Sequence, residues 1–168
     1  MDARDSSFPV AWSHLQAALR PDGSLRDIVV LDTTIDDWDR AYRFVRGLAA
    51  SGEAQLVPDP DPLPETISDV FALGTGDNMP MLGINLGDVR LNCHFFGELE
   101  IEFDVRPNDV DTEARAQSLL TFMHGLGQAV GRPVHLTEEN VHEWRWLSFD
   151  PGTDAWTAHP DPMSGPPG

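Results

Sequence analysis

The sequence has no lysine, one cysteine and no long uncharged apolar run. Its 11 basic residues are therefore all arginines, they face 28 Asp and Glu, and the formal net charge is −17. Proteins that bind nucleic acid or anionic lipid need a basic footprint, so the composition argues against both classes. A membrane-spanning helix needs about 18 or more apolar residues in a row, which the chain never reaches.

The single cysteine, Cys93, excludes a disulfide within the chain. The first ten residues, MDARDSSFPV, are acidic where a secretory signal peptide is basic and then apolar, so we expect a cytoplasmic protein. A quarter of the 168 residues are Leu, Ile, Val or Phe, which is enough for the core of one domain. We expect that single domain over residues 1–158 and a disordered tail, rich in proline and glycine, over residues 159–168.

Two long amphipathic helices are predicted. The first covers Ile35–Ala50, where apolar residues recur at helical spacing after the two hydroxyl side chains of Thr33 and Thr34, which suit a helix N-terminus. The second is opened by residues 107–111, which end the preceding strand, and it stops at Gly131, a natural helix end. Its apolar stripe consists of Val110, Leu119, Phe122, Met123, Leu126 and Val130.

A β-hairpin is predicted around Gly87 and Asp88, which form a two-residue turn signal. Apolar and polar residues alternate on both sides of this turn. With a two-residue loop, the two apolar sets coincide on one face, as directly opposed residues must. The expected pairs are Leu86 with Val89, Ile84 with Leu91, and Leu82 with Cys93.

A third strand is predicted over residues 98–105, after a three-residue loop at residues 95–97. A two-residue loop would set Cys93 opposite Glu100, which is unfavourable. The three-residue loop places His94 beside Glu98 instead. The predicted fold class is therefore α+β, an antiparallel β-meander covered by two longer helices.

Carboxylates line the polar side of this third strand and form the most distinctive feature of the sequence. They suit either the solvated face of an antiparallel sheet or a recognition surface for a basic partner. A hard-cation site is a weaker reading, because no Asp-rich, glycine-centred calcium loop is present. Asp59 and Asp61, in a proline-spaced loop, would extend a contact surface. We call the four residues of the strand the acidic stripe: Glu98, Glu100, Glu102 and Asp104.

Histidines and a cysteine offer other chemistry. His94 with Glu98 and Glu100 would make a metal or acid–base cluster, although a lone histidine beside glutamates is commonly a charge-balanced surface residue. His135 and His142 lie seven residues apart and lack the i, i+4 pairing of a helical zinc site, so we expect no metal and no cofactor. Cys93 falls on the apolar face, where a buried thiol is inert.

A predicted terminal hairpin carries Trp144 and Trp146 on one side of its first strand. Both suit core positions. If exposed, they would be aromatic anchors of the kind that dominate protein interfaces.

Three stretches resemble small bacterial proteins of the immunity type: NCHFFGELEIEFDVRPNDV, FMHGLGQAVGRPVHLTEEN and WRWLSFDPGTDAW. The resemblance covers residues 27–156 in pattern. Such proteins are cytoplasmic α+β proteins that neutralise a cognate toxin, often by covering its active site. The resemblance implies a partner-binding role and no catalytic residue.

We therefore expect an acidic protein-binding module, an immunity- or antitoxin-like inhibitor that occludes a basic partner such as a secreted toxin. The alternative is a metal-dependent or acid–base enzyme that uses His94 and neighbouring carboxylates. A structural or oligomeric accessory protein is a third possibility. The expected partner-binding residues are Glu98, Glu100, Glu102, Asp104, Asp59 and Asp61.

Overall fold

The computed structural model describes residues 9–74 and 79–162 and has the predicted α+β fold. In these two stretches, four α-helices accompany one eight-stranded sheet in which every neighbouring pair of strands is antiparallel. No helix in the same stretches is long and apolar enough to cross a lipid bilayer. The helices are α1 (Trp12–Ala18), α2 (Ile35–Ala50), α3 (Ile67–Leu73) and α4 (Glu113–Val130).

The sheet does not follow chain order, because β1 lies in its middle. The strand order is β2-β3-β4-β5-β1-β6-β7-β8. The edge strand β2 contains Pro58, which is consistent with the rule that proline is confined to sheet edges. The strands are β1 (Arg26–Leu31), β2 (Gln55–Asp59), β3 (Met81–Leu86), β4 (Val89–His94), β5 (Glu100–Val105), β6 (Val134–Glu138), β7 (Val141–Asp150) and β8 (Ala155–Ala158).

Helix α2 has its predicted bounds, whereas α4 begins at Glu113, later than the predicted opening at residues 107–111, because Pro107–Asp109 form a separate 3₁₀ turn. Thr34 caps α2 in a capping box, in which its hydroxyl accepts from the Asp37 N–H and the Asp37 carboxylate accepts from the Thr34 N–H. Thr112 caps α4 through the Arg115 N–H. Gly131 follows α4 with a φ of 79°, a left-handed conformation that glycine adopts without strain.

The hairpin between β3 and β4 has the predicted register. Gly87 and Asp88 form the turn, and Gly87 has a φ of 63°. The observed pairs are Leu86 with Val89, Ile84 with Leu91, and Leu82 with Cys93.

The predicted register between β4 and β5 is wrong by four residues. His94 pairs with Glu102, not with Glu98. The connection is longer because it is fixed to α2: the indole Nε1 of Trp38 donates to the Gly97 carbonyl at 3.0 Å. Thr33 holds the next two residues through hydrogen bonds to the backbone carbonyls of Glu98 and Leu99. Because four is an even number, the shift leaves every side chain of β5 on its predicted face.

The core lies between the helices and one face of the sheet. The ring of Phe103 on β5 meets Phe122 of α4 edge-on, with centroids 5.1 Å apart. Trp38 of α2 packs on Phe95, which follows β4. The end of α4 is tied to the start of α2 by the Arg132 Nε, which donates to the buried Asp37 carboxylate at 2.7 Å.

The C-terminal part of the described chain forms the predicted hairpin of β7 and β8. The backbone N–H of His159 donates to the Trp146 carbonyl, so the segment predicted as a tail begins with an ordered contact. Residues 163–168 of that segment, and residues 1–8 at the other end, lie outside the described residues. Trp146 is buried, whereas Trp144 is 41% exposed. The two side chains differ because irregular pairing between β6 and β7 interrupts the alternation of side chains between the two faces of β7.

Gly127 in α4 provides a test of the packing between this helix and the sheet. A Cβ at this position would lie 2.7 Å from the ring of the fully buried Phe149. We expect Gly127→Ala to destabilise the protein by about 1–3 kcal/mol through overpacking. Chemical denaturation measures the free energy of unfolding.

Gly47 is the matched control, since it is exposed in α2 and a Cβ there meets nothing within 4 Å. Gly47→Ala removes only the helix penalty of glycine and should stabilise the protein by roughly 0.5–1 kcal/mol. If the two variants were equally stabilising, α4 would not pack on Phe149 as described.

Candidate functional site

The face of the sheet away from the core, here called the polar face, carries the candidate site. Asp27 on β1 is paired with Asp104 on β5, and Val29 is paired with Glu102. Paired residues of antiparallel strands point to the same face, so three carboxylates lie together. All three residues are less than 9% exposed. Like charges on neighbouring strands destabilise a sheet, so cationic or hydrogen-bonding partners are required.

His142 on β7 is the first such partner. The register between β6 and β7 jumps from Thr137–Arg145 to Glu138–Val141, so residues 142–144 have no paired partners on β6. The Nε2 atom of His142 lies 3.4 Å from Asp27 Oδ2 and 3.3 Å from Glu102 Oε1. Its Nδ1 atom lies 3.3 Å from Glu100 Oε2. One imidazole ring thus contacts three carboxylates.

Asn140 fixes the turn that brings His142 to this position. Its φ is 62°, a left-handed conformation that asparagine tolerates better than most residues. Its backbone N–H donates to Asp27 Oδ2 at 2.8 Å. The turn between β6 and β7 is therefore attached to β1 by the same carboxylate that faces His142.

His94 on β4 is the second partner. Its Nε2 is 2.5 Å from Asp104 Oδ2, and the Asn92 amide donates to the other oxygen of Asp104 at 3.0 Å. The ring of Phe96 stacks on the imidazole, with centroids 5.0 Å apart. Asp104 is therefore fully engaged by β4.

The pKa values of these groups are shifted by their surroundings. Burial, reinforced by the neighbouring Asp27, raises the pKa of Glu102, and burial likewise raises the pKa of Asp27 despite the hydrogen bond from Asn140. The hydrogen bond to Asp104 raises the pKa of His94. The site thus holds carboxylates that resist ionisation and an imidazole that favours its charged form.

A separate polar chain lies further along the polar face. His135 Nδ1 is 2.6 Å from Ser148 Oγ, which is 2.7 Å from His159 Nε2. Burial lowers the pKa of His135 to about 4, so this histidine is neutral at physiological pH. A hydroxyl donates one proton, so one of the two rings accepts from Ser148 and the other donates to it.

The acidic stripe is not a uniform surface. Glu98 is exposed and Glu100 is half-buried, so both side chains are accessible to a partner. Glu102 and Asp104 differ from both sequence-based interpretations, which need them exposed. They are buried because side chains of the flanking strands surround them: His142 contacts Glu102, and His94 and Asn92 contact Asp104.

The other two predicted contact residues, Asp59 and Asp61, lie at the end of the edge strand β2 and just beyond it. Asp59 and Asp61 are both exposed. Asp59 pairs with Met81, and Met81 pairs with His94, so Asp59 extends the polar face toward the β2 edge. His94 does not join Glu98 or Glu100. Cys93 is buried, and burial strongly raises the pKa of its thiol, which agrees with an inert cysteine.

Sequence reasoning missed Asp27 and assigned no role to His142. Asp27 follows Arg26 at the start of β1, just before the apolar run IVVL, and charged residues at the end of such a run are ordinarily exposed, so the sequence carries no clear signal for its burial. His142 gave no signal through spacing, because its carboxylate neighbours come from β1 and β5 rather than from its own element.

Comparison with protein-family models, with curated proteins and with solved structures finds no match to this chain.

The His94–Asp104 pair predicts a pH-dependent contribution to stability. The pKa of His94 is higher in the folded protein than its ordinary value of 6.5, so the folded state holds the proton more tightly. This contribution is fully present below pH 6.5 and is lost as the pH rises through the folded pKa. The free energy of unfolding of the native protein should therefore decrease as the pH rises above 6.5. It is measured in the presence of a chelator, so that metal ions do not affect the result.

His94→Asn should flatten that decline, because asparagine does not titrate. The control variant is His124→Asn, which removes an exposed histidine that lies 3.1 Å from Asp154. That control should keep the native pH profile above 6.5. A His94→Asn profile parallel to the native one would contradict the role assigned to this pair.

Proposed function

We propose that the protein is an acidic protein-binding module that inhibits a basic partner protein by covering its functional surface. The observation that supports this best is a patch on the connection between β4 and β5. Leu99 is 77% exposed and Phe96 is 58% exposed, and they flank the carboxylate of Glu98. Large apolar side chains beside charges on a soluble surface are typical of binding sites. We call Phe96, Glu98, Leu99 and Glu100 the loop patch.

The loop patch is held rigidly, which favours binding. The hydrogen bonds from Thr33 and Trp38 fix the backbone at Gly97, Glu98 and Leu99. A preorganised surface loses less conformational entropy when it binds. A shallow depression of about 530 Å³ lies beside it, lined by Leu31, Asp32 and residues 96–100.

The charge of the surface favours a basic protein as the partner. The loop patch carries Glu98 and Glu100, Asp32 lies beside it, and the exposed Asp59 lies on the same face. With a net charge of −17, the whole molecule attracts a basic partner over long range and repels nucleic acid. The resemblance to immunity-type proteins agrees with this proposal and with a cytoplasmic location.

The alternative enzyme function based on His94 is less well supported. Its Nε2 is bound to Asp104 and its ring is covered by Phe96. Its other nitrogen, Nδ1, contacts no nucleophilic side chain among the described residues, so no acid–base pair is formed there.

Photocross-linking in living cells identifies the partner. A photoreactive amino acid is placed at Leu99, and a control is placed at Leu73, which is 43% exposed at the end of α3. We expect the Leu99 position to capture a basic protein that the Leu73 position does not. Equal capture at both positions, or capture of an acidic protein at Leu99, would contradict the proposal.

Charge reversal then tests the mechanism with the captured protein. We expect Glu98→Arg to reduce the association rate several-fold and to weaken its dependence on salt, since exposed charges are screened beyond about 8 Å at physiological ionic strength. Stability should change by no more than about 0.5 kcal/mol, because the side chain is exposed. Surface-immobilised binding at two salt concentrations gives both quantities.

Glu113→Arg is the matched control. Glu113 is exposed at the start of α4, toward the opposite end of the sheet, and its reversal changes the net charge by the same amount. If both variants slowed association equally, the effect would come from net charge and not from the loop patch.

A further inference from the structure

Three side chains on the polar face form a set of metal-ligand type. Asp27, Glu102 and His142 come from β1, β5 and β7, and each offers one ligand atom within 4.8 Å of the other two. Asp27 and Glu102 are more than nine-tenths buried. No hydrogen bond from the part of the chain that the structure describes reaches the carboxylate of Glu102, whose charged contact is His142 Nε2.

The two separations that involve His142 Nε2 match those between ligands of a tetrahedral site. His142 Nε2 lies 3.4 Å from Asp27 Oδ2 and 3.3 Å from Glu102 Oε1. Two ligand atoms bound at about 2.0–2.1 Å to a tetrahedral zinc ion are about 3.3–3.4 Å apart. A direct hydrogen bond would bring nitrogen and oxygen to about 2.7–3.2 Å.

The orientation of the His142 imidazole also favours a role as a metal ligand. The Nε2 atom is buried and has no hydrogen-bond partner among the described residues. The Nδ1 atom faces Glu100 Oε2 at 3.3 Å, an ion-pair distance slightly longer than a direct hydrogen bond. A carboxylate on one ring nitrogen and a metal on the other is the usual arrangement around metal-bound histidine. With its proton on Nδ1, the ring aims the Nε2 lone pair at two carboxylates, an arrangement that a bound cation stabilises.

We propose that Asp27, Glu102 and His142 bind a divalent transition-metal ion of the zinc type, with Glu100 positioning the imidazole. One nitrogen and two carboxylate ligands suit Zn²⁺, whereas Ca²⁺ takes six to eight oxygens and Mg²⁺ requires an octahedron of them. Three protein ligands leave a further coordination position. The half-buried Glu100 and His142 mark the side from which an ion enters. This inference does not depend on the proposed partner.

Metal titration of the purified full-length protein, after removal of bound ions with a chelator, tests the proposal. We expect one equivalent of Zn²⁺ to bind at pH 7.5 by calorimetry and to raise the unfolding temperature. Co²⁺ should compete for the site and give visible absorption bands of a low-coordinate nitrogen and oxygen environment. Ca²⁺ in equal excess should not displace either ion.

Substitutions identify the ligands. His142→Ala and Glu102→Gln should abolish stoichiometric binding, and Glu100→Gln should weaken it by about 10–100-fold, as loss of an outer partner does. His142 is partly exposed, so its variant is expected to fold, which circular dichroism checks. His124→Ala, which removes an exposed histidine beside Asp154, should bind Zn²⁺ as the native protein does.

The proposal is overturned if the native protein binds no stoichiometric Zn²⁺ at pH 7.5. It is equally overturned if His142→Ala and Glu102→Gln, both folded, retain native affinity, because the ion then binds elsewhere.

Discussion

Repulsion among the carboxylates of Asp27, Glu102 and Asp104 is the constraint that shapes the polar face. The three groups lie on two adjacent strands and are nearly removed from solvent. An unpaired charge in such a place costs several kcal/mol, so the fold must supply partners from both sides. His94 reaches them from β4 and His142 from β7. The irregular pairing that carries His142 across β6 is thus part of the electrostatic balance of the sheet and not a local imperfection.

Structural features that depend on nearby residues were predictable from the sequence. The register of β3 and β4 follows from the turn at Gly87 and the alternation on either side of it. The start of α2 follows from Thr34 and Asp37, three residues apart. In each case the decisive contacts join residues close together in the chain, so a pattern in the sequence contains them.

Features that depend on distant residues were not predictable. The register of β5 is set by Trp38 and Thr33, which hold the preceding loop from another element. The position of β1 between β5 and β6 brings Asp27 to Glu102, and nothing in the spacing of these residues indicates it. The sequence therefore revealed that the region is acidic, whereas only the topology separates the exposed Glu98 from the buried Glu102.

The two edges of the sheet differ in a way that bears on self-association. At β2, an incoming strand would meet Pro58, which has no N–H to donate, and the exposed carboxylate of Asp59. At β8, each of the four residues from Ala155 to Ala158 keeps its N–H. Within the described residues, pairing with the edge of another molecule is therefore disfavoured at β2 and less so at β8. Two molecules joined through β8 would present a β2 edge at each end, where the proline and the carboxylate oppose the addition of a further strand.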